Sequence, residues 1–236
     1  EARQRAAGKP WSFLHVSRPE IDMPEGTDQY SDAVYAKAKE NFNAMLKEGV
    51  LQQDKAEYYY LYHLTMGNHQ QTGLVAVASV PDYDSNRIRK HEFTRPDKED
   101  DRVKQIDVLD AQTGPVFLTY RHSAVIDELA GKAVEKNPDI DVTADDGVRH
   151  RLWVLDDPQQ IDTITKTFDA MPCLYIADGH HRSAAASRVA AKRTADNSKH
   201  TGDEPYNYFL SVIFPDNQMQ ILDYNRVIRD LNGLSN

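Results

Sequence analysis

Two short stretches of this 236-residue chain hold side chains whose types and spacing suit chemistry. In "CLYIADGHHRSAAASRVAAKR" (Cys173–Arg193), an apolar run ends in Asp178, Gly179, His180, His181 and Arg182, and an alanine-rich helix follows. A bare connection needs a glycine and a cap, not two imidazoles and a guanidinium. Gly179 permits a tight turn and close approach of the backbone to a ligand. The first amides of the helix lack intrahelical partners and sit at the positive end of its dipole, which makes the junction an anion site, phosphate above all. Arg182 adds a planar charged fork suited to phosphate oxygens. His180 and His181 can donate hydrogen bonds or exchange protons near neutral pH. Asp178 can hold Mg²⁺ or orient a histidine. Ala184, Ala185 and Ala186 keep bulky side chains out of the approach path.

The second stretch is "RKHEFTRPDKEDDR" (Arg89–Arg102), within a run, 82–102, of seven carboxylates and six Lys/Arg. His91 and Glu92 offer a base, while Arg95 and Lys98 offer positive charge for a phosphoryl group. A base, cations and an anion-binding helix terminus are the minimal kit for phosphoryl transfer, where positioning and charge neutralisation do most of the catalysis. Blander readings stand beside this one. The histidines at a helix start can simply satisfy buried backbone, and alternating charge is usually a solvated surface. Zinc is disfavoured, because adjacent histidines diverge and no HxxxH or HExxH spacing lies nearby.

The elements that must position these residues follow from periodicity. Val34, Ala38, Phe42 and Met45 predict a helix over 31–48, capped by Ser31 and ended by Gly49. "EYYYLYHLTM" (57–66) and "GLVAVASV" (73–80) read as an antiparallel hairpin joined by "GNHQQT". The 82–102 segment reads as an active-site loop with few helix signals, interrupted by Pro96. "GPVFLTY" is a strand, and "SAVIDELAGKAVEKN" a helix with Val125, Ile126, Leu129 and Ala133 on one face. "VRHRLWVL" is a further strand. Asp157, Pro158 and Gln160 open a helix that buries Ile161, Ile164 and Phe168. "CLYIA" is a short buried strand, 194–205 a mobile loop, and "YNYFLSVIF" and "QMQILDY" a last hairpin. His15 and His63 sit in strand-like apolar contexts and read as core residues, His150 as half-exposed, and Arg121-His122 as a pair at the end of a strand. Hairpins mixed with strand–helix units give an α+β class with a mixed, largely antiparallel sheet and flanking helices.

Composition bounds the rest. Hydrophobic content of 40% against 28% charge supports a globular core, and a net charge of −9 argues against a nucleic-acid partner. No run approaches the ~18 apolar residues of a membrane span. The single cysteine, Cys173, excludes an intrachain disulfide and suits a reducing cytoplasm. Residues 1–236 read as one α+β domain, and the ends read as those of a fragment. No Walker A motif, kinase glycine loop or GxSxG is present.

"DGHHRSAAA" resembles the phosphate-binding box of the ParB/sulfiredoxin superfamily, in which a Gly-x-x-Arg turn opens a helix. The wider pattern is similar to a family of bacterial and archaeal proteins long labelled as of unknown function and related to SerK-type free serine kinases. "SFLHVSRPEID", "IRKHEFTRPDKEDDR", "GPVFLTY", "HTGDEPYNYFLSVIFP" and "LDYNRVIRDLNG" carry the resemblance across nearly the whole chain. It implies a ParB/sulfiredoxin-like core around the strand–DGHHR–helix unit. The implied activity is ATP- or ADP-dependent phosphorylation of a small hydroxylated metabolite, free L-serine to O-phosphoserine, with Mg²⁺. Gly179, His180, His181 and Arg182 would hold the phosphates and Glu92 would take the hydroxyl proton, with His91 as its substitute. His180 stands where sulfiredoxin has its reactive cysteine, which disfavours sulfinic acid reduction. No basic DNA-binding domain of the ParB kind is visible. A nucleotide-binding regulatory module without kinase activity is the alternative.

Overall fold

The computed structural model describes residues 1–223, 225–230 and 232–233. In chain order its elements are α1 (Ala2–Ala6), α2 (Leu14–Ser17), α3 (Asp32–Lys47), β1 (Tyr59–Met66), β2 (His69–Ser79), α4 (Val80–Asp84), β3 (Ile88–Arg89), α5 (Pro96–Leu109), β4 (Val116–Tyr120), α6 (Ala124–Val134), β5 (Ile140–Thr143), β6 (Arg149–Leu155), α7 (Pro158–Asp169), β7 (Leu174–Asp178), α8 (His180–Asp196) and β8 (Tyr208–Pro215). Short 3₁₀ turns at Pro19–Asp22, Pro205–Asn207 and Asp216–Gln218 join them.

All eight strands form one sheet in the order β3-β7-β4-β8-β2-β1-β6-β5. The pairs β3–β7 and β4–β8 are parallel and the other five are antiparallel, so the class is mixed α+β with a largely antiparallel sheet and flanking helices. Alternation sends one set of side chains into the core: Leu61, Leu74, Leu118, Trp153, Ile176, Phe209 and Ile213. Ile126 of α6, Ile164 of α7 and Ala186 and Ala190 of α8 pack against that face. The alanines predicted to clear an approach path thus also let α8 lie close on the sheet. A smaller cluster of Val16, Ala38, Met45 and Leu109 joins α2 and α3 to α5.

The sequence expectations hold for the span of α3, although the Ser31 side chain at its N-cap makes no capping bond, for β1, β4, β6 and β7, and for α7, whose Asp157 side chain accepts the Gln159 amide. Others need correction. Residues 69–72 belong to β2, leaving Gly67 and Asn68 as the two-residue turn; Gly67 has φ +58°. Pro96 does not interrupt a loop but begins α5. It occupies the first turn, where its missing N–H costs nothing, Arg95 before it is extended, and Asp97 and Glu99 favour the helix N-terminus. "SFLHV" is not strand-like: His15 lies in α2 and bonds Asp22 at 2.8 Å. Residues 219–223 make no strand, and residue 224 of that predicted hairpin lies outside the described residues. Instead the Gln218 Oε1 accepts the Thr72 amide at 2.7 Å, and β8 lies between β2 and β4. Residues 194–196 of the expected loop continue α8. Val125 is half exposed rather than buried, and the edge strand β5 was not foreseen. Among the described residues no helix is long and apolar enough to cross a membrane.

Candidate functional site

The turn after β7 is shaped by Gly179, the N-cap of α8, at φ +99°. A β-carbon there would lie 2.9 Å from the Nε and Nη2 of Arg182, and one on Gly114 would lie 3.3 Å from its Cδ. Both glycines therefore leave room for the Arg182 side chain, which folds back to donate to Asp178 Oδ2 at 2.6 Å. A glycine N-cap has no side chain to satisfy the first helical amides; those of Arg182 and Ser183 bond the Gly179 carbonyl at 2.9 and 3.0 Å, and those of His180 and His181 have no side-chain cap.

The charged segment meets this turn. His180 is buried, 4% exposed, and its ring meets that of His91 edge to face with centroids 4.4 Å apart. The His91 backbone N–H donates to His180 Nε2 at 3.4 Å, and Glu92 Oε2 lies 3.5 Å from His180 Nδ1. An Nε2 that accepts must carry its proton on Nδ1, facing the Glu92 carboxylate. Burial, joined by the neighbouring His91, holds the His180 pKa below its usual value, consistent with a neutral ring. His181 Nε2 accepts the backbone N–H of Arg95 at 3.1 Å, and Arg95 is the N-cap of α5. The two histidines thus hold the segment by its backbone at two points. The bland reading of each is part of the truth: both imidazoles satisfy backbone amides.

Part of the negative charge of α5 has a structural task. Along α8, Arg188 pairs with Glu99 at 3.2 Å and Asp100 at 2.7 Å, Lys192 with Asp107 at 2.6 Å, and Arg193 with Asp110 at 2.6 Å. Each exposed pair contributes at most about 1 kcal/mol, but the row fixes α5 against α8.

A cleft of about 520 Å³ opens where these elements converge. Glu92 and the whole Asp178–Arg182 turn line it, along with Arg102, Gln105 and Ile106 of α5 and Gln112, Thr113 and Gly114 before β4. Of the sequence-nominated residues, Glu92, Asp178, Gly179, His180, His181 and Arg182 share the cleft, and His91 stands behind His180. Arg95 and Lys98 do not line it. Arg95 pairs with Asp97 at 2.8 Å, and Lys98 reaches the Tyr30 hydroxyl at 3.2 Å beside a neighbouring cavity of about 230 Å³. Arg102 is the cation that α5 contributes, and sequence reading passed over it together with Gln105, Thr113 and Ser17. The signal was available: once Pro96 is a helix start, residues 102, 105 and 106 fall on one helical face.

Among the described residues no three His, Cys, Asp or Glu side chains are grouped to cage a metal ion. Asp178 is one exposed carboxylate that already accepts from Arg182. Such a donor fits Mg²⁺ only in company, since Mg²⁺ is commonly held by one or two carboxylates together with substrate phosphates. Elsewhere, Arg121 and His122 close on Asp216 at 2.9 and 3.3 Å, His150 stacks on Tyr62, and His63 is buried against Thr72.

The family described as a protein of unknown function, DUF1015, matches residues 1–236. The chain belongs to this family. No curated protein and no solved structure matches it.

Proposed function

We propose that this member of DUF1015 transfers a phosphoryl group from a nucleotide, ATP or ADP with Mg²⁺, to a small hydroxylated metabolite, with free L-serine as the first acceptor to test. One observation carries the reading: Glu92 and the Asp178–Arg182 turn line the same cleft, with His91 and His180 in ring contact behind them. The resemblance of "DGHHRSAAA" to the phosphate box of the ParB/sulfiredoxin superfamily points to the same use of the turn.

In this reading the free amides after Gly179 and the forks of Arg182 and Arg102 receive phosphate oxygens. The nucleotide would supply a terminal phosphoryl group, and Asp178 would be the residue to hold Mg²⁺, whose charge would offset that of the phosphates. Glu92 takes the proton of the acceptor hydroxyl as that oxygen bonds to phosphorus and the bridging P–O bond to the nucleotide breaks. His180 Nδ1–H points at Glu92 and steadies the carboxylate, while His91 fixes the His180 ring. Arg95 and Lys98 flank the start of α5 and would neutralise transferred charge on leaving Asp97 and Tyr30.

Phosphorus NMR with Mg²⁺ and ATP or ADP, with and without L-serine, tests this. A new phosphomonoester signal that needs serine supports the kinase. Nucleotide bound with no transfer to serine or other small hydroxyl compounds refutes it and leaves a regulatory module.

A further inference from the structure

The helices cover one face of the sheet, and the other face is unexpectedly apolar. In an antiparallel sheet with one solvated face, outward positions are ordinarily polar. Here β1 turns Tyr60, Tyr62 and Leu64 outward, β2 turns out Val77, and the edge strand β5 turns out Ile140 and Val142. Val77 is 63% exposed, and Ile140 and Val142 are each 53% exposed. The outward positions of β6 and β8 continue the pattern with Leu152, Val154, Leu210 and Val212 beside His150 and Tyr208, while Phe214, at the end of β8, is already buried over Gly73. Ile126 of α6, Ile164 of α7 and Ala186 and Ala190 of α8 belong to the cluster on the opposite face, and Val16, Ala38, Met45 and Leu109 to that around α3.

Two features of this face choose its partner. Across the five adjacent strands β8-β2-β1-β6-β5, no outward position holds Asp, Glu, Lys or Arg. Such a face gives little purchase to an oppositely charged partner, and two copies of it meet with no charged strand position between them, the nearby Asp54 carboxylate being already held by the Tyr60 hydroxyl. Two of its tyrosine hydroxyls are also already answered, Tyr60 by Asp54 and Tyr62 by His150. At about 3.3 Å per residue and 4.8 Å between strands, the five strands present roughly 600 Å². Two such faces bury about 1,200 Å², which reaches the range of specific protein interfaces.

We propose that this face is the interface of a symmetric homodimer, in which the uncharged halves of two sheets stack face to face about 10 Å apart. Val77 and the Tyr60–Tyr62–Leu64 row form its centre, with Ile140 and Val142 at one margin.

Sedimentation equilibrium of the whole chain tests the assignment. A dimer is expected at micromolar protein. Val77→Lys, with the far-ultraviolet circular dichroism of the parent, should raise the dimer dissociation constant at least about thirtyfold, because association would then bury an unpaired charge in each copy. Should Val77→Lys fail to fold, Ile140→Lys on the exposed edge strand takes its place with the same expectation. A parent chain that stays monomeric at about 100 µM overturns the proposal and leaves the face to an unlike partner. A dimer that persists unchanged in a folded lysine variant overturns it as well.

Discussion

The rings of His91 and His180 touch edge to face at 4.4 Å, across a sequence separation of 89. This contact converts a charged surface segment and a glycine turn into two walls of one cleft. It also ties the protonation of His180 to the backbone of the segment, because the acceptor nitrogen is Nε2.

That link has a pH signature. The His180 pKa lies below 6.5 in the fold, through burial first and then the nearby His91. Above about pH 6.5 both folded and unfolded chains keep the ring neutral, and its contribution to stability is complete. As pH falls through 6.5, the unfolded chain takes up a proton that the folded chain resists, so stability declines toward the folded-state value. His63, lowered by burial and by Arg151 and Arg149, acts in the same direction. Imidazole NMR should therefore show His180 titrating below 6.5, and the melting temperature should fall between pH 7.5 and pH 5.5. A His180 that titrates at or above 6.5 contradicts the neutral tautomer.

Base and anchor should separate on substitution. Glu92→Gln keeps the shape of the cleft and removes the proton acceptor, so transfer should drop by about 10²–10⁴ while nucleotide affinity changes little. Arg182→Ala removes a charged donor to phosphate and should weaken nucleotide binding by about 1.5–3 kcal/mol, roughly tenfold to a hundredfold. Calorimetric titration beside a turnover assay distinguishes the two. Joint loss of binding and turnover in Glu92→Gln would argue against its role as base.

Gly179→Ala should be among the costlier substitutions at the site. The residue sits at φ +99°, and its new methyl would meet the Arg182 guanidinium at 2.9 Å. Strain of this kind costs about 1–3 kcal/mol, and the displaced Arg182 should also reduce phosphate affinity. Chemical denaturation and nucleotide titration of the variant measure both effects. Gly114→Ala, with its looser 3.3 Å contact, should be milder.

Most of the residues nominated from sequence line one cleft, whereas the frame around them was less legible. Gly179, His180, His181 and Arg182 were legible because a glycine between strand and helix signals tight backbone geometry, and the charged side chains beside it have few other reasons to be there. Their contact with His91 and Glu92 was not legible, because it depends on β3 pairing with β7 across a separation that periodicity does not report. Pro96 misled for a local reason: proline breaks a helix from within and begins one at its first turn, and only the Asp97 and Glu99 that follow distinguish the cases. Glu99 and Asp100 counted with the charged site segment because the sequence does not reveal that Arg188 answers them. "QMQILDY" alternates like a strand, yet β8 finds both its partners in β2 and β4.

One residue outside the cleft should matter for keeping it assembled. Arg87 pairs with Asp82 at 2.8 Å, and its other terminal nitrogen donates to the carbonyls of Phe168, Asp169 and Met171 at 3.1, 2.9 and 3.1 Å. A cation at the C-terminus of α7 opposes the negative end of that helix and answers carbonyls that have no intrahelical donor. The Arg87 carbonyl in turn accepts the Leu174 amide at 3.0 Å, the bond that begins the β3–β7 pairing and aims the chain toward His91. Arg87→Met should cost about 1–3 kcal/mol, nearer the lower figure because the side chain is a third exposed. For a chain of this size that is a fall of several degrees in melting temperature. Arg87→Lys keeps the charge but not the fork, so it should recover only part of the loss. A lysine variant as stable as the parent would mean that charge at the helix end, rather than the shared carbonyl contacts, holds α7 to the strand that carries His91 into the cleft.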